Sequence, residues 1–366
     1  MKNLLLRFLS LGLVAALGFT ATPVFASRSR FVPRFNTISE VALTVPANGD
    51  VNPYGVAIVQ KTTGKLVKGD ILVSNFNNKD NLQGTGTTIV EISPGGHVSL
   101  FAQLDAAKLP GPCPGGVGLT TALVVLREGW VIVGSLPTTD GMAATAKAGC
   151  LIVLNPSGTP VETISGQLVD GPWDMTAFER DDRAVLFVTN VLDGTVAASP
   201  NVVKNGFIAR ITLRLDDNDP PMVIARAMIA SGFMQRTDPN ALVIGPTGLG
   251  LGKNGTLYVA DSLDDRVAAI SRALTRRTSA GIGRTISKGG ALKTPLGLAI
   301  APDGDILTVN GGDGNLVELT PKGKQVDVKM IDVTATGAGT LFGLAVTDNK
   351  GIYFVNDGNN KLYLLH

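Results

Sequence analysis

Histidine and cysteine are almost missing: His97, His366, Cys113 and Cys150 are the only four in 366 residues. A zinc site wants four soft ligands at short spacing, which this inventory does not supply. A Ser-His-Asp or Cys-His nucleophile system needs a histidine to relay the proton. His97 follows the turn Ser93-Pro94-Gly95-Gly96 and His366 is the last residue, so both are expected to face solvent. Charged residues are only 17% and aromatics 5%, while glycine reaches 44 of 366. That weakly charged, turn-laden composition favours many short strands over long helices. Hydrophobic residues at 44% are enough for a sizeable core and exclude wholesale disorder.

Charge of one sign is missing too. The chain has 32 basic and 30 acidic residues, and Lys2 and Arg7 fall in the N-terminal segment, which has no acidic residue. The remainder balances at 30 against 30, no electrostatic footprint for nucleic acid or an anionic membrane. Met1 to Ala26 has a basic start, an apolar run from Leu9 to Phe19, and small residues two apart before Ser27. This is the layout of a signal peptide cleaved after Ala26, and no later apolar stretch reaches the ~18 residues of a membrane span. The expectation is a free periplasmic or secreted protein, monomeric and without membrane insertion after cleavage. Cys113 and Cys150 suit that oxidising compartment, as one disulfide or as two buried thiols.

One phrase recurs: Pro or Gly, any residue, Gly, then alternating apolar residues. It appears at Pro53-Tyr54-Gly55, Gly116-Val117-Gly118, Pro172-Trp173-Asp174, Pro246-Thr247-Gly248, Pro295-Leu296-Gly297 and Leu341-Phe342-Gly343, at intervals of 63, 56, 74, 49 and 46 residues. Second strands repeat as well, for example Gly255-Thr256-Leu257-Tyr258-Val259-Ala260-Asp261 and Gly304-Asp305-Ile306-Leu307-Thr308-Val309-Asn310, several after Asn-Gly or Asp-Gly turns. A third signal is the Pro-x-Gly turn of Ser93 to Gly96, Asn155 to Gly158 and Thr320 to Gly323. Six copies at blade length predict an all-β, six-bladed propeller of four-stranded antiparallel blades, in a single ring spanning residues 27–366. The last copy stops at its third strand, and a spare alternating strand over 37–45 precedes the first. Pairing the two would close the ring and hide its edges.

The pattern Pro-x-Gly-Leu-Ala-Ile … Asp-Gly-x-Ile/Leu-x-Val resembles the NHL-repeat six-bladed propellers, most clearly over Pro246 to Ile270. It is similar also to the wider gluconolactonase/regucalcin-like and streptogramin-lyase-like group. The resemblance implies either of two activities, a ligand- or protein-binding scaffold or a metal-dependent lactonase, esterase or lyase using a divalent cation such as calcium.

The second and third positions of the phrase place Tyr54, Trp173, Asp174, Thr247 and Phe342 at the channel mouth. One reading makes the aromatics a floor for an unknown small ligand with Asp174 as its anchor; the other makes them packing between blades, with Asp174 capping a backbone amide. Asp174, Asn52 and Asn190 are the candidate metal ligands. Long loops over 76–87, 136–149 and 191–205 predict a wall over one half of that face, with Cys113 and Cys150 beside it. The Asn or Asp closing most second strands reads as a once-per-blade turn cap. The basic run Arg272, Arg276, Arg277, Arg284 and Lys288 reads as a solvated edge. A scaffold binding through its loop-walled face is the preferred reading, with no cofactor required.

Overall fold

The computed structural model describes residues 30–216, 219–334, 339–348 and 350–366. The expected leader, 1–26, lies outside the described residues. The chain is a ring of six antiparallel sheets. Inner strands run Val51–Ile58, Leu119–Val125, Pro172–Arg180, Pro246–Leu251, Pro295–Ile300 and Leu341–Thr347, one for each of blades one to six. Each inner strand contacts the next around the circle, and the sixth contacts the first.

Closure follows from pairing the two ends. Ile38–Leu43 is the outer strand of blade six, running antiparallel to Lys361–Leu365 in register from Ile38↔Leu365 to Leu43↔Lys361. The third and fourth strands are joined as the turn chemistry requires: Gly96, Gly158 and Gly323 take φ of 85°, 79° and 89°, which only glycine adopts freely. Strand 2 of each blade is buried almost throughout, because sheets cover it on both faces.

The core is divided. Hydrophobic clusters fill the spaces between neighbouring blades, such as Leu72, Ile89, Leu123, Val133 and Ile152 between blades one and two. A further cluster lies on the ring axis. Blade contacts at the axis are close. A Cβ on Gly248, Gly297 or Gly343 would collide with the carbonyl of Leu296, Phe342 or Tyr54 in the next blade. Those glycines are therefore the condition for narrow spacing at the centre of the ring.

Two local features differ from expectation. Blade three carries five strands: its outer strand, Met222–Asp238, runs for 17 residues, and its end pairs with a short Leu242–Ile244. In blade two the phrase is displaced. Ser74 donates to the carbonyl of Thr120, as Thr189 does to Thr247 one blade pair on, so Thr120 and Thr121 stand where Val117 and Gly118 were expected. Gly118 instead packs against Gly84 in the loop of blade one.

Candidate functional site

The end of the channel where the inner strands begin is sealed. Tyr54 stacks on Phe342 (3.9 Å between centroids) and on Phe76 (4.5 Å), and Trp173 lies 6.3 Å from Phe342. All four rings are buried, together with Leu136, Val191 and Leu296, beneath Ala241, Leu242, Val243 and Ile244. This is a correction to the open aromatic floor: the residues meet as expected, but a hairpin from blade three covers them. The hairpin turns through Asp238, whose carboxylate accepts from the N–H of Asn240 and Ala241. Gln83 donates to the Pro239 carbonyl at 2.7 Å and holds the tip down from blade one. Leu242 enters the plug with φ of 62°, a left-handed backbone unusual for a branched aliphatic residue. The loops of blades two and three, through Ala143, Ala146 and Leu192, fold onto the plug rather than stand around an opening.

The other end is open. A funnel of about 370 Å³ is lined by the inner strands of all six blades, with Gln60 and Glu179 at its wide end. Val56, Leu123, Leu249, Leu298 and Leu344 wall its depth, and Asp174 sits at the closed end. The five residues from Asp174 to Glu179 make it about 16 Å deep at strand rise. Asp174 replaces the glycine of the other phrases. Its carboxylate accepts from Met175 N–H at 2.8 Å and, across the blade boundary, from Leu249 N–H at 3.0 Å. Burial outweighs these two donors and pushes Asp174 up to about 7. At the wide end, burial also raises Glu179, whose two oxygens accept from Arg127 N–H.

Thr247 is fully buried; its hydroxyl lies 2.8 Å from Ser262 Oγ and donates toward the Pro295 carbonyl at 3.1 Å. Asn190 is consumed in its own blade, accepting from Asp170 N–H and donating to the Leu168 carbonyl. Asn75, Asn310 and Asn356 tie second-strand ends to neighbouring segments in the same way, while Asp261 pairs with buried Arg266 at 2.7 Å. Among the described residues Asp174 is the one carboxylate at the axis, Thr247 is engaged between blades and the rings are stacked, so the axis supplies too few oxygen ligands for a divalent cation. Asn52 is different: it walls a cleft on the plugged face, between blades six and one. There burial and the nearby Asp332 push Asp357 up to about 7, and burial with the Asp357 charge holds the Tyr54 phenol well above its usual range.

Cys113 and Cys150 form a disulfide, 5.2 Å between Cα atoms, pinning the loop that enters blade two to its third strand. His97 is exposed, and so is His366, which lies 2.9 Å from Ser39. Arg272, Arg277, Arg284 and Lys288 are exposed on blade four, with Arg276 half-buried beside them. Asp303, Asp305 and Glu318 bring carboxylate oxygens within 4.8 Å of one another, with Glu318 accepting from Phe31 and Val32 N–H. The covering hairpin escaped the sequence reading. Its signal was the 74-residue interval between the third and fourth phrases, the longest of the five, with Ala241-Leu242-Val243-Ile244 directly after the turn Asp238-Pro239-Asn240.

No protein-family model and no curated protein sequence matches the chain. Solved structures do. A gluconolactonase from Xanthomonas campestris aligns at TM-score 0.53 and 12% identity, over 87% of this chain and 86% of its own. The PQQ-bound aldose sugar dehydrogenase of Streptomyces coelicolor aligns at 0.54 and 15%, over 90% and 97%. Virginiamycin B lyase from Staphylococcus aureus, an inactive variant with quinupristin, aligns at 0.50 and 14%, over 89% and 84%. The ring thus shares its propeller fold with these structures, and the NHL designation rests on the repeat phrase alone.

Proposed function

We propose that the chain is an exported, monomeric small-molecule-binding propeller whose receptor site is the blind funnel, entered from the face opposite the hairpin. The observation that carries this reading is the shape and chemistry of the funnel: a sealed end, an exposed lining more polar than apolar with Thr121, Thr176, Gln60 and Glu179 among the Val and Leu residues, and one carboxyl at the bottom. Such a site suits a small polar ligand with several hydrogen-bonding groups, one of them directed at Asp174, which carries a donatable proton below about pH 7. The leader-like segment and the Cys113–Cys150 bridge support an oxidising compartment, and the balanced charge supports a role without nucleic acid or membrane. This moves the binding face from the loop-walled end to the opposite one, because the hairpin occupies the former.

A hydrolase or lyase of lactone type is the second reading. It is favoured by the near-neutral Asp174, in the range a general acid or base needs, and by the activities named for the gluconolactonase and lyase neighbours. One experiment separates the two. Wild-type and Ala345→Phe protein, the latter with its funnel wall thickened, are titrated with lactones and polyols while melting and Trp173 fluorescence are followed. Binding by the wild type that the variant loses is expected. Silence across the series, or equal binding by both proteins, overturns the funnel as receptor. Turnover of a lactone that Asp174→Asn abolishes transfers the assignment to the enzyme. Intact mass of the exported protein checks cleavage before Ser27.

A further inference from the structure

The seam where the last blade meets the first holds a set of polar atoms that neither the plug nor the funnel uses. Blade one enters through Val51 and Asn52, and Asn77, at the end of its second strand, is the cross-strand partner of Val51. Blade six contributes Thr340, just ahead of its inner strand, and Asp357, just after its second. Asp357 N–H donates to the Thr340 carbonyl at 2.9 Å, which holds the two together. Asn52 N–H donates to Asn360 Oδ1 at 2.7 Å and joins the blades. Asn52, Asn77, Thr340 and Asp357 wall one cleft of about 700 Å³, bordered on its far side by the hairpin tip at Pro239 and Asn240.

Among the described residues, each of these four presents a buried side-chain oxygen with no hydrogen-bond partner: Asn52 Oδ1, Asn77 Oδ1, Thr340 Oγ1 and Asp357 Oδ1. Asn52, Asn77 and Thr340 are 7%, 2% and 5% exposed. A buried acceptor left without a donor costs ~1–3 kcal/mol, so four around one cleft call for a ligand rather than for packing. The Asn77 amide nitrogen already donates to Asn81 Oδ1 at 2.7 Å, which leaves its oxygen as the atom on offer. Carboxylate, amide carbonyl and hydroxyl oxygens are all hard donors, and a single full charge among neutral ligands is typical of cation sites of modest affinity. Lys79 also borders the cleft, but its side chain is 71% exposed and its amine lies 3.7 Å from Asp80.

We propose that this seam binds a hard divalent cation of the calcium class through the Asp357 carboxylate, the amide oxygens of Asn52 and Asn77, and the Thr340 hydroxyl. The cleft exceeds the volume of a bare ion, so water completes the coordination shell. The ion bridges the first and last blades, adding a clasp on the plugged face to the strand pairing that closes the ring. The site lies off the axis and is independent of the funnel reading; failure of either leaves the other standing.

The test uses the mature protein stripped with chelator and titrated calorimetrically with calcium and then magnesium, with terbium luminescence sensitised by Tyr54 as a second readout. One calcium per chain, magnesium binding weaker by about tenfold or more, and a calcium-raised melt are expected. Asn52→Gly is the cleanest variant. Asn52 has φ of 65°, which glycine adopts without strain, so the ligand is removed while the backbone stays. It and Asp357→Asn are each expected to weaken calcium by about tenfold or more. Should Asp357→Asn not fold, Asn52→Gly decides. No ion bound by the wild type at millimolar calcium overturns the proposal. So does undiminished binding by Asn52→Gly, which would point to another site such as Asp303, Asp305 and Glu318.

Discussion

Truncating Leu242 sets two effects of opposite sign against each other. Its side chain is 1% exposed in the plug, so Leu242→Ala should cost about 3 kcal/mol, within the usual ~2–5 range for a buried leucine. Alanine keeps a Cβ and with it the left-handed penalty of ~1–2 kcal/mol at φ of 62°. Leu242→Gly relieves that penalty, against ~0.5–1 kcal/mol for the greater freedom of glycine in the unfolded chain and ~0.8 kcal/mol for the one further buried carbon it gives up. The three nearly cancel, so the two variants should agree within about 1 kcal/mol, whereas at an ordinary buried strand position glycine would fall about 1.5 kcal/mol below alanine. Urea unfolding of the two variants beside wild type measures this directly. Acrylamide quenching reports the plug itself, since Trp173 lies beneath the hairpin while Trp130 precedes the second strand of blade two at the other end of the ring. A glycine variant less stable than the alanine variant by about 1.5 kcal/mol or more would refute both the left-handed entry of Leu242 and the balance worked from it.

The pH dependence of stability has a definite sign. Asp174 titrates near 7 folded against 3.8 unfolded, so the native state holds the extra proton and stability falls as pH rises from about 4 to 7, by at most ~1.4 kcal/mol per pH unit from this group. Asp170, Asp261 and Asp357 are raised in the same direction, so Asp174→Asn should flatten the slope of denaturation midpoint against pH without abolishing it; an unchanged slope would contradict the assignment. Replacing Cys113 and Cys150 by serine opens a cross-link between residues 37 apart and should cost about 4 kcal/mol by the chain-entropy relation, measured by urea unfolding with and without reductant. Arg266→Met leaves the Asp261 carboxylate buried without its partner and should destabilise by ~3–5 kcal/mol; adding Asp261→Asn should recover part of that loss in a double-mutant cycle.

The blades were legible because their information is local. Period-two alternation, Asn-Gly and Asp-Gly hairpins and Pro-x-Gly turns each act within a few residues, and six repetitions of them identify the ring and its spare closing strand. The meeting of Tyr54, Trp173 and Phe342 on the axis was legible for the same reason, since equal positions in a repeat fall at equal positions around a circle. Asp174 stood out as the single departure from glycine. That it reaches Leu249 N–H, 75 residues away, was not legible, because a cross-blade hydrogen bond depends on the spacing of two sheets and not on either strand alone.

What the sequence determined by itself is therefore the repeating unit, its count, and the residues that reach the axis in every blade but the second, where Thr120 and Thr121 replace Val117 and Gly118. Tertiary structure alone decided which end of the channel is open. The sealing hairpin is an extension of one blade whose apolar tip has no repeat partner, and its place depends on burying Leu242 among rings from its own blade and two others, blades one and six. The same holds at the seam of Asn52 and Asp357, where residues from opposite ends of the chain become neighbours only because the ring closes. Local sequence rules describe each blade, but the packing of the blades creates the cavities.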